Sequence, residues 1–164
     1  MKAIVVYESL WGNTAAIARA IAEGMGPGAQ ALTTAEATPT VISGVDLIVA
    51  GAPVLGFQLP SEQMRESIRT NPTRPKADYS HPTMRAWLAG LPAGSGRYAA
   101  FETRLWWSPG GATKAIGQGL EKAGYREALK ARRFIVNGAY GPLRKGELEK
   151  ARAWGAELAR ARGG

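Results

Sequence analysis

Between an apolar run and a helical pattern, the residues Ser9-Leu10-Trp11-Gly12-Asn13-Thr14 gather two hydroxyls, an amide and a glycine. A strand-to-helix turn of this kind leaves several backbone N–H groups without partners at a helix N-terminus, where the helix dipole also favours negative charge. Ser9 and Thr14 can donate O–H bonds to phosphate oxygens, and Gly12 lets the backbone come close to them. No lysine or arginine stands in the turn, so a phosphate would be held by neutral dipoles. The segment is neither a Walker loop, which needs Gly-x-x-x-x-Gly-Lys, nor a Gly-x-Gly-x-x-Gly dinucleotide turn. On the residues alone, an ordinary capped turn between strand and helix remains the alternative.

The rest of the composition removes other chemistries. The 164 residues contain no cysteine, which excludes disulfides, thiol catalysis and thiolate metal sites. The single histidine, His81, excludes multi-histidine zinc or haem-like constellations. No Gly-x-Ser-x-Gly elbow accompanies it, and it follows a proline-rich stretch, so it reads as a solvated loop residue. Glu8, at the end of the first apolar run, reads as a residue that caps or orients a loop. Any redox chemistry has to come from an organic cofactor.

The elements that must position the turn follow from periodicity. Lys2 to Tyr7 and Asp46 to Gly51 are short apolar runs rich in β-branched residues, the signature of parallel strands buried on both faces. Ile17, Ile21 and Met25 recur at a spacing of four and define a helix that ends at Gly24 to Gly26. Ala29 to Leu32 reads as an edge strand and Thr38 to Gly44 as a short helical turn. Helices are expected over Ser61 to Arg69 and Pro82 to Ala89, with Thr70 to His81 between them as an exposed excursion. Arg97 to Glu102 is a fourth strand, followed by a loop over Thr103 to Gly110 and a helix over Gly111 to Ala123. Phe134 to Gly138 is a fifth strand, Arg126 to Arg133 its polar approach, and Gly146 to Arg162 an amphipathic closing helix. The alternation predicts a single α/β domain over residues 1–164, doubly wound, with helices on both faces of the sheet.

With the elements in order, the turn Ser9 to Thr14 resembles the flavodoxin signature that holds the phosphate of flavin mononucleotide (FMN), with Trp11 standing where a threonine is common. Gly51-Ala52-Pro53 and the residues Val54 to Phe57 resemble the second flavodoxin loop beside the isoalloxazine ring, and Thr103 to Gly110 occupies the place of the third. The third loop lacks the acidic, tyrosine-bearing pattern of the best-known electron carriers. The resemblance implies a three-layer sandwich with a five-stranded parallel sheet in the order 2-1-3-4-5. It implies FMN contacts from Ser9, Leu10, Trp11, Gly12, Asn13 and Thr14, from Pro53, Val54, Leu55, Gly56 and Phe57, and from Thr103, Arg104, Leu105, Trp106 and Trp107. Loops at the carboxyl ends of adjacent strands converge at a topological switch point, so Phe57, Trp106 and Trp107 are the aromatic candidates to face a ring. Arg104 is the nearest expected source of positive charge.

The function implied is electron transfer. One competing reading is a flavodoxin-fold oxidoreductase acting on a small oxidant such as a quinone or porphyrinogen, and another is a binding module without flavin. The formal charge of +8 is unevenly spread. Residues 1–64 carry two basic against five acidic side chains, and the remaining 100 carry nineteen against eight. A basic balance suits an acidic redox-partner protein. Nucleic acid is set aside because no reading motif accompanies Arg132-Arg133 or Arg144-Lys145. No apolar run approaches the roughly 20 residues of a membrane helix, and no secretory pattern opens the chain, so the expectation is a cytoplasmic monomer or weak dimer.

Overall fold

In the computed structural model, which describes residues 2–162, the apolar run near the amino end forms the central strand β1 (Ala3–Tyr7). It pairs in parallel with β2 (Ala29–Thr33) on one side and β3 (Leu47–Pro53) on the other. β4 (Arg97–Leu105) continues the sheet beyond β3. The fifth position is built from two segments, β5 (Arg126–Glu127) and β6 (Arg132–Val136), which lie end to end along the same edge of β4. The strand order is therefore 2-1-3-4-5, as expected, with the fifth position interrupted at Ala128–Ala131.

The helices are α1 (Asn13–Met25), α2 (Pro39–Ile42), α3 (Glu62–Arg69), α4 (Met84–Ala89), α5 (Thr113–Lys122) and α6 (Glu147–Arg162). Because side chains alternate across a strand, Val5, Val49, Ala99 and Phe101 face one side of the sheet and meet α1 and α6. Val6, Ile48, Ala50 and Tyr98 face the other and meet α2, α4 and α5. Both faces are covered, which is why the strands read as continuous apolar runs. Trp154 of α6 is buried among Phe101 and Phe134, with ring centroids 6.5 and 6.1 Å away. Hydroxyl caps start three helices, with Thr38, Ser61 and Thr83 accepting from the N–H groups of Val41, Met64 and Ala86.

Two strands depart from their expected bounds in a way the pairing explains. β4 runs three residues past Glu102 because β6 offers it a ladder partner at Thr103, Arg104 and Leu105, so the first three residues of the expected third loop are strand. The fifth strand ends at Val136 rather than Gly138 and begins at Arg132. It is an edge strand, where Arg132 can turn outward and pair with Glu157 at 3.2 Å, so polar residues do not end the ladder.

Candidate functional site

At the carboxyl ends of β1, β3, β4 and β6, three loops enclose a cleft. It is lined by Ser9, Leu10, Trp11, Asn13 and Thr14 of the first loop, by Pro53 to Phe57 of the second, and by Thr103, Arg104, Leu105, Trp107 and Ser108 of the third. Of the sixteen residues anticipated, Gly12 and Trp106 are not part of this lining. Gly12 sits in the turn with φ +94°, and Trp106 is 72% exposed beside the cleft mouth. Arg74, Ser108, Val136 and Ala139 also line the cleft and were not among the sixteen.

The first loop keeps its donors aimed outward. The N-cap residue Gly12 has no side chain to cap α1, so the N–H groups of Asn13 and Thr14 in its first turn stay open. Ser9 Oγ accepts from the N–H groups of Gly12 and Ala15, each at 3.2 Å. Those two bonds use both hydroxyl lone pairs and leave the Ser9 proton to be donated elsewhere. Thr14 Oγ1 and Thr103 Oγ1 lie 2.7 Å apart in the buried floor, so one hydroxyl donates to the other and the second keeps its proton. This donor set fits a phosphate: open backbone N–H groups, free O–H groups and a helix N-terminus at one end of a mainly apolar cleft.

The second loop is a tight hairpin. Leu55 and Gln58 exchange both backbone hydrogen bonds, at 2.9 and 3.2 Å, and the two residues between them, Gly56 and Phe57, have φ of +56° and +67°. Positive φ at both central positions defines a type I′ turn, which glycine or asparagine adopts cheaply and phenylalanine does not. Phe57 is the one non-glycine residue with positive φ among the described residues, and its ring is 55% exposed at the cleft rim.

The third loop is gripped from beneath by Arg104. The guanidinium is only 4% exposed; it donates to Glu102 Oε2 at 2.7 Å, to Gly110 O at 2.8 Å and to the carbonyl oxygen of Ser108. Glu102 in turn accepts from the N–H groups of Ala112 and Thr113 and so caps α5. The expectation that Arg104 brings a free positive charge to the cleft is corrected here. Its charge is matched by Glu102, since an arginine in strand β4 is buried and must be paired there.

His81 is a further correction. It is 3% exposed, and its Nε2 accepts the backbone N–H of Ser9 at 3.0 Å. The excursion that was expected to be solvated instead leans on the first loop. Asp78 N–H donates to Leu10 O at 2.8 Å, Trp11 Nε1 donates to Pro75 O at 3.3 Å, and Ala77 packs with Leu10 and Ile68. Most of its other side chains are exposed.

Glu8 orients neighbouring segments, as anticipated. Its carboxylate accepts from Met84 N–H at 2.8 Å and pairs with buried Arg65 of α3 at 3.1 Å, while Arg65 Nη1 donates to His81 O at 2.6 Å. Burial pushes the Glu8 carboxyl above its ordinary value, against the pull of the Met84 N–H and of Arg65. Arg65 was missed by sequence reasoning. The available signal was its place between Met64 and Ile68, on the one apolar stripe of an otherwise polar helix.

No protein-family model matches the sequence, and no curated protein sequence matches it. Solved structures do. An archaeal flavodoxin superposes with a TM-score of 0.69 over 100% of both chains at 20% identity. Flavodoxin 1 from Bacillus cereus gives 0.66 over 98% of both chains at 15% identity. The flavodiiron core of a Synechocystis protein gives 0.64 at 18% identity, covering 99% of this chain and 36% of that one. The chain has the flavodoxin fold.

Proposed function

We propose that a chain of this fold, with this cleft, binds FMN and carries electrons. The observation that supports the reading best is the Ser9 to Thr14 turn, whose remaining hydroxyl protons and open Asn13 and Thr14 N–H groups lie at one end of the cleft. Ser9, Thr14 and the backbone of Trp11 to Thr14 would hold the phosphate. Leu55, Gly56 and Phe57 on one side, and Leu105, Trp106 and Trp107 on the other, would meet the ring. The flavin would supply one- and two-electron redox chemistry, and the protein supplies binding and electrostatics.

A partner would approach the rim formed by Phe57, Trp106 and Trp107. Among the described residues no carboxylate lines the cleft, and exposed Arg74, Lys76, Arg144 and Lys145 lie on loops at the same edge of the sheet. This charge suits an acidic partner. No helix among the described residues is long and apolar enough to cross a membrane, and the reading is of a cytoplasmic carrier.

The test is titration of the purified apo protein with FMN and with FAD, followed by flavin fluorescence. FMN is expected to bind and FAD to bind far more weakly, because the turn suits a terminal monophosphate. Failure of FMN to bind overturns the reading in favour of a flavin-free module. The exposed aromatic rim also favours a second reading, an oxidoreductase that takes a flat oxidant at the cleft. Steady-state turnover with a quinone separates the two.

A further inference from the structure

We infer that His81 is a positioning residue for the anion-binding turn, and that its neutral imidazole holds Ser9 in the orientation that phosphate needs. His81 is not part of the cleft lining, and it acts through Ser9. The proposal rests on the FMN reading only for the ligand it names.

The geometry sets the tautomer. Nε2 accepts the Ser9 N–H at 3.0 Å, so the ring must be unprotonated there and carry its single proton on Nδ1. Nδ1 is buried and has no hydrogen-bond partner, and the nearest carboxylate oxygen, Asp78 Oδ2, is 3.9 Å away. Adding a proton to Nε2 would turn N–H toward N–H across 3.0 Å. The bond to Ser9 would be lost, and the turn would have to shift.

The surroundings oppose that proton. Arg65 of α3 lies against the same loop, its Nη1 donating to the His81 carbonyl oxygen at 2.6 Å. Glu8 at the end of β1 is engaged by Arg65 and by Met84 N–H, and Glu62 of α3 by the hydroxyl of Thr83 at 3.2 Å. Asp78 of the excursion and Glu36 after β2 pull the other way. Burial and the Arg65 charge prevail, and His81 is held below its ordinary value of 6.5. The ring is therefore neutral at neutral pH and charges only in acid. A group whose folded value is depressed supports the folded turn above its unfolded value and loses that support as pH falls.

Ser9 is the residue whose orientation matters most for an anion. Its hydroxyl oxygen organises the N–H groups of Gly12 and Ala15, so rotation of the Ser9 peptide would disperse the donors of the whole turn. His81 reaches it from 72 residues along the chain.

The test compares FMN affinity from neutral to acid pH in the wild type and in His81→Gln, whose amide oxygen can accept the same N–H without titrating. Protonation of the FMN phosphate affects both proteins alike. The wild type is expected to lose about 3- to 10-fold more affinity in acid than the variant, the fold-change of one lost hydrogen bond. Near-equal affinity is expected at neutral pH. Parallel profiles overturn the proposal.

A second measurement needs no ligand. His81 is the only histidine, so its ring resonances can be followed by NMR in the apo protein. The Ser9 amide is expected to shift with the same midpoint, and a Ser9 amide that ignores the ring overturns the proposal even if the variant fails to fold. If FMN binds at no pH but the Ser9 amide follows His81, the FMN reading fails and the positioning role stands.

Discussion

Gly111 donates its backbone N–H to the carbonyl oxygen of Phe57 at 3.1 Å, tying the third loop to the tip of the second. The contact is close on both sides. A Cβ on neighbouring Gly110, where φ is +75°, would lie 2.0 Å from that same oxygen. The two walls of the cleft are thus set against each other by backbone, independently of any ligand, and the grip of Arg104 on Ser108 and Gly110 holds the far side.

Gly110→Ala should separate the loops. The left-handed conformation alone costs a residue with a Cβ roughly 1–2 kcal/mol, and the displaced Phe57 carbonyl adds to it. Urea unfolding of the apo protein is expected to show a loss of about 2 kcal/mol or more, with weaker FMN binding. Unchanged stability and affinity would mean the loops adjust freely.

Phe57→Asn should do the opposite to stability. Asparagine tolerates positive φ, so the type I′ turn relaxes and the apo protein should gain roughly 0.5–1 kcal/mol. The exposed aromatic face is lost, and FMN affinity should fall. Thermal unfolding and flavin titration read the two effects separately; stability and affinity moving together would refute a role for the strained residue at the rim.

Replacing Ser9 and Thr14 by Ala together removes two hydroxyl donors, each worth on the order of 1.5–3 kcal/mol to a charged phosphate. The dissociation constant for FMN should rise by about 100-fold or more. Riboflavin, which has no phosphate, should be much less affected. Equal losses for both ligands would point to collapse of the loop instead of lost phosphate contacts.

Arg65→Met leaves the buried Glu8 carboxylate without its cation and should destabilise by about 3–5 kcal/mol at neutral pH. Glu8→Gln combined with Arg65→Met should cost less than Arg65→Met alone, since no charge is stranded. Glu8 is already held above its ordinary value by burial, and losing Arg65 raises it further. A group raised in the folded state supports folding below its unfolded value and loses that support as pH rises. The gap between Arg65→Met and wild type should therefore narrow from neutral pH toward pH 4.5. Denaturant midpoints at several pH values check it.

Local pattern determined much of this protein. The apolar runs Lys2 to Tyr7 and Asp46 to Gly51 carry the signature of strands covered on both faces, and they form β1 and β3. The hydroxyl caps Ser61 and Thr83 announce their helices, and the Ser9 to Thr14 turn lies where a strand hands over to a helix. Alternation of such units fixes a doubly wound sheet, and the strand order 2-1-3-4-5 is the one that the flavodoxin resemblance implied. What local pattern lacked was any record of which distant group would meet a polar side chain. His81 sits among prolines and polar residues, a loop by every local measure, yet its ring accepts from Ser9, 72 residues away. Arg65 and Arg104 look like surface charges until Glu8 and Glu102 are placed against them. Positive φ at Phe57 is likewise invisible in its neighbours' identities, because the Gln58 ladder and the Gly111 N–H impose it from outside. A buried polar group is tolerable only when its partner is present, and partners far apart in the chain are brought together only by tertiary packing.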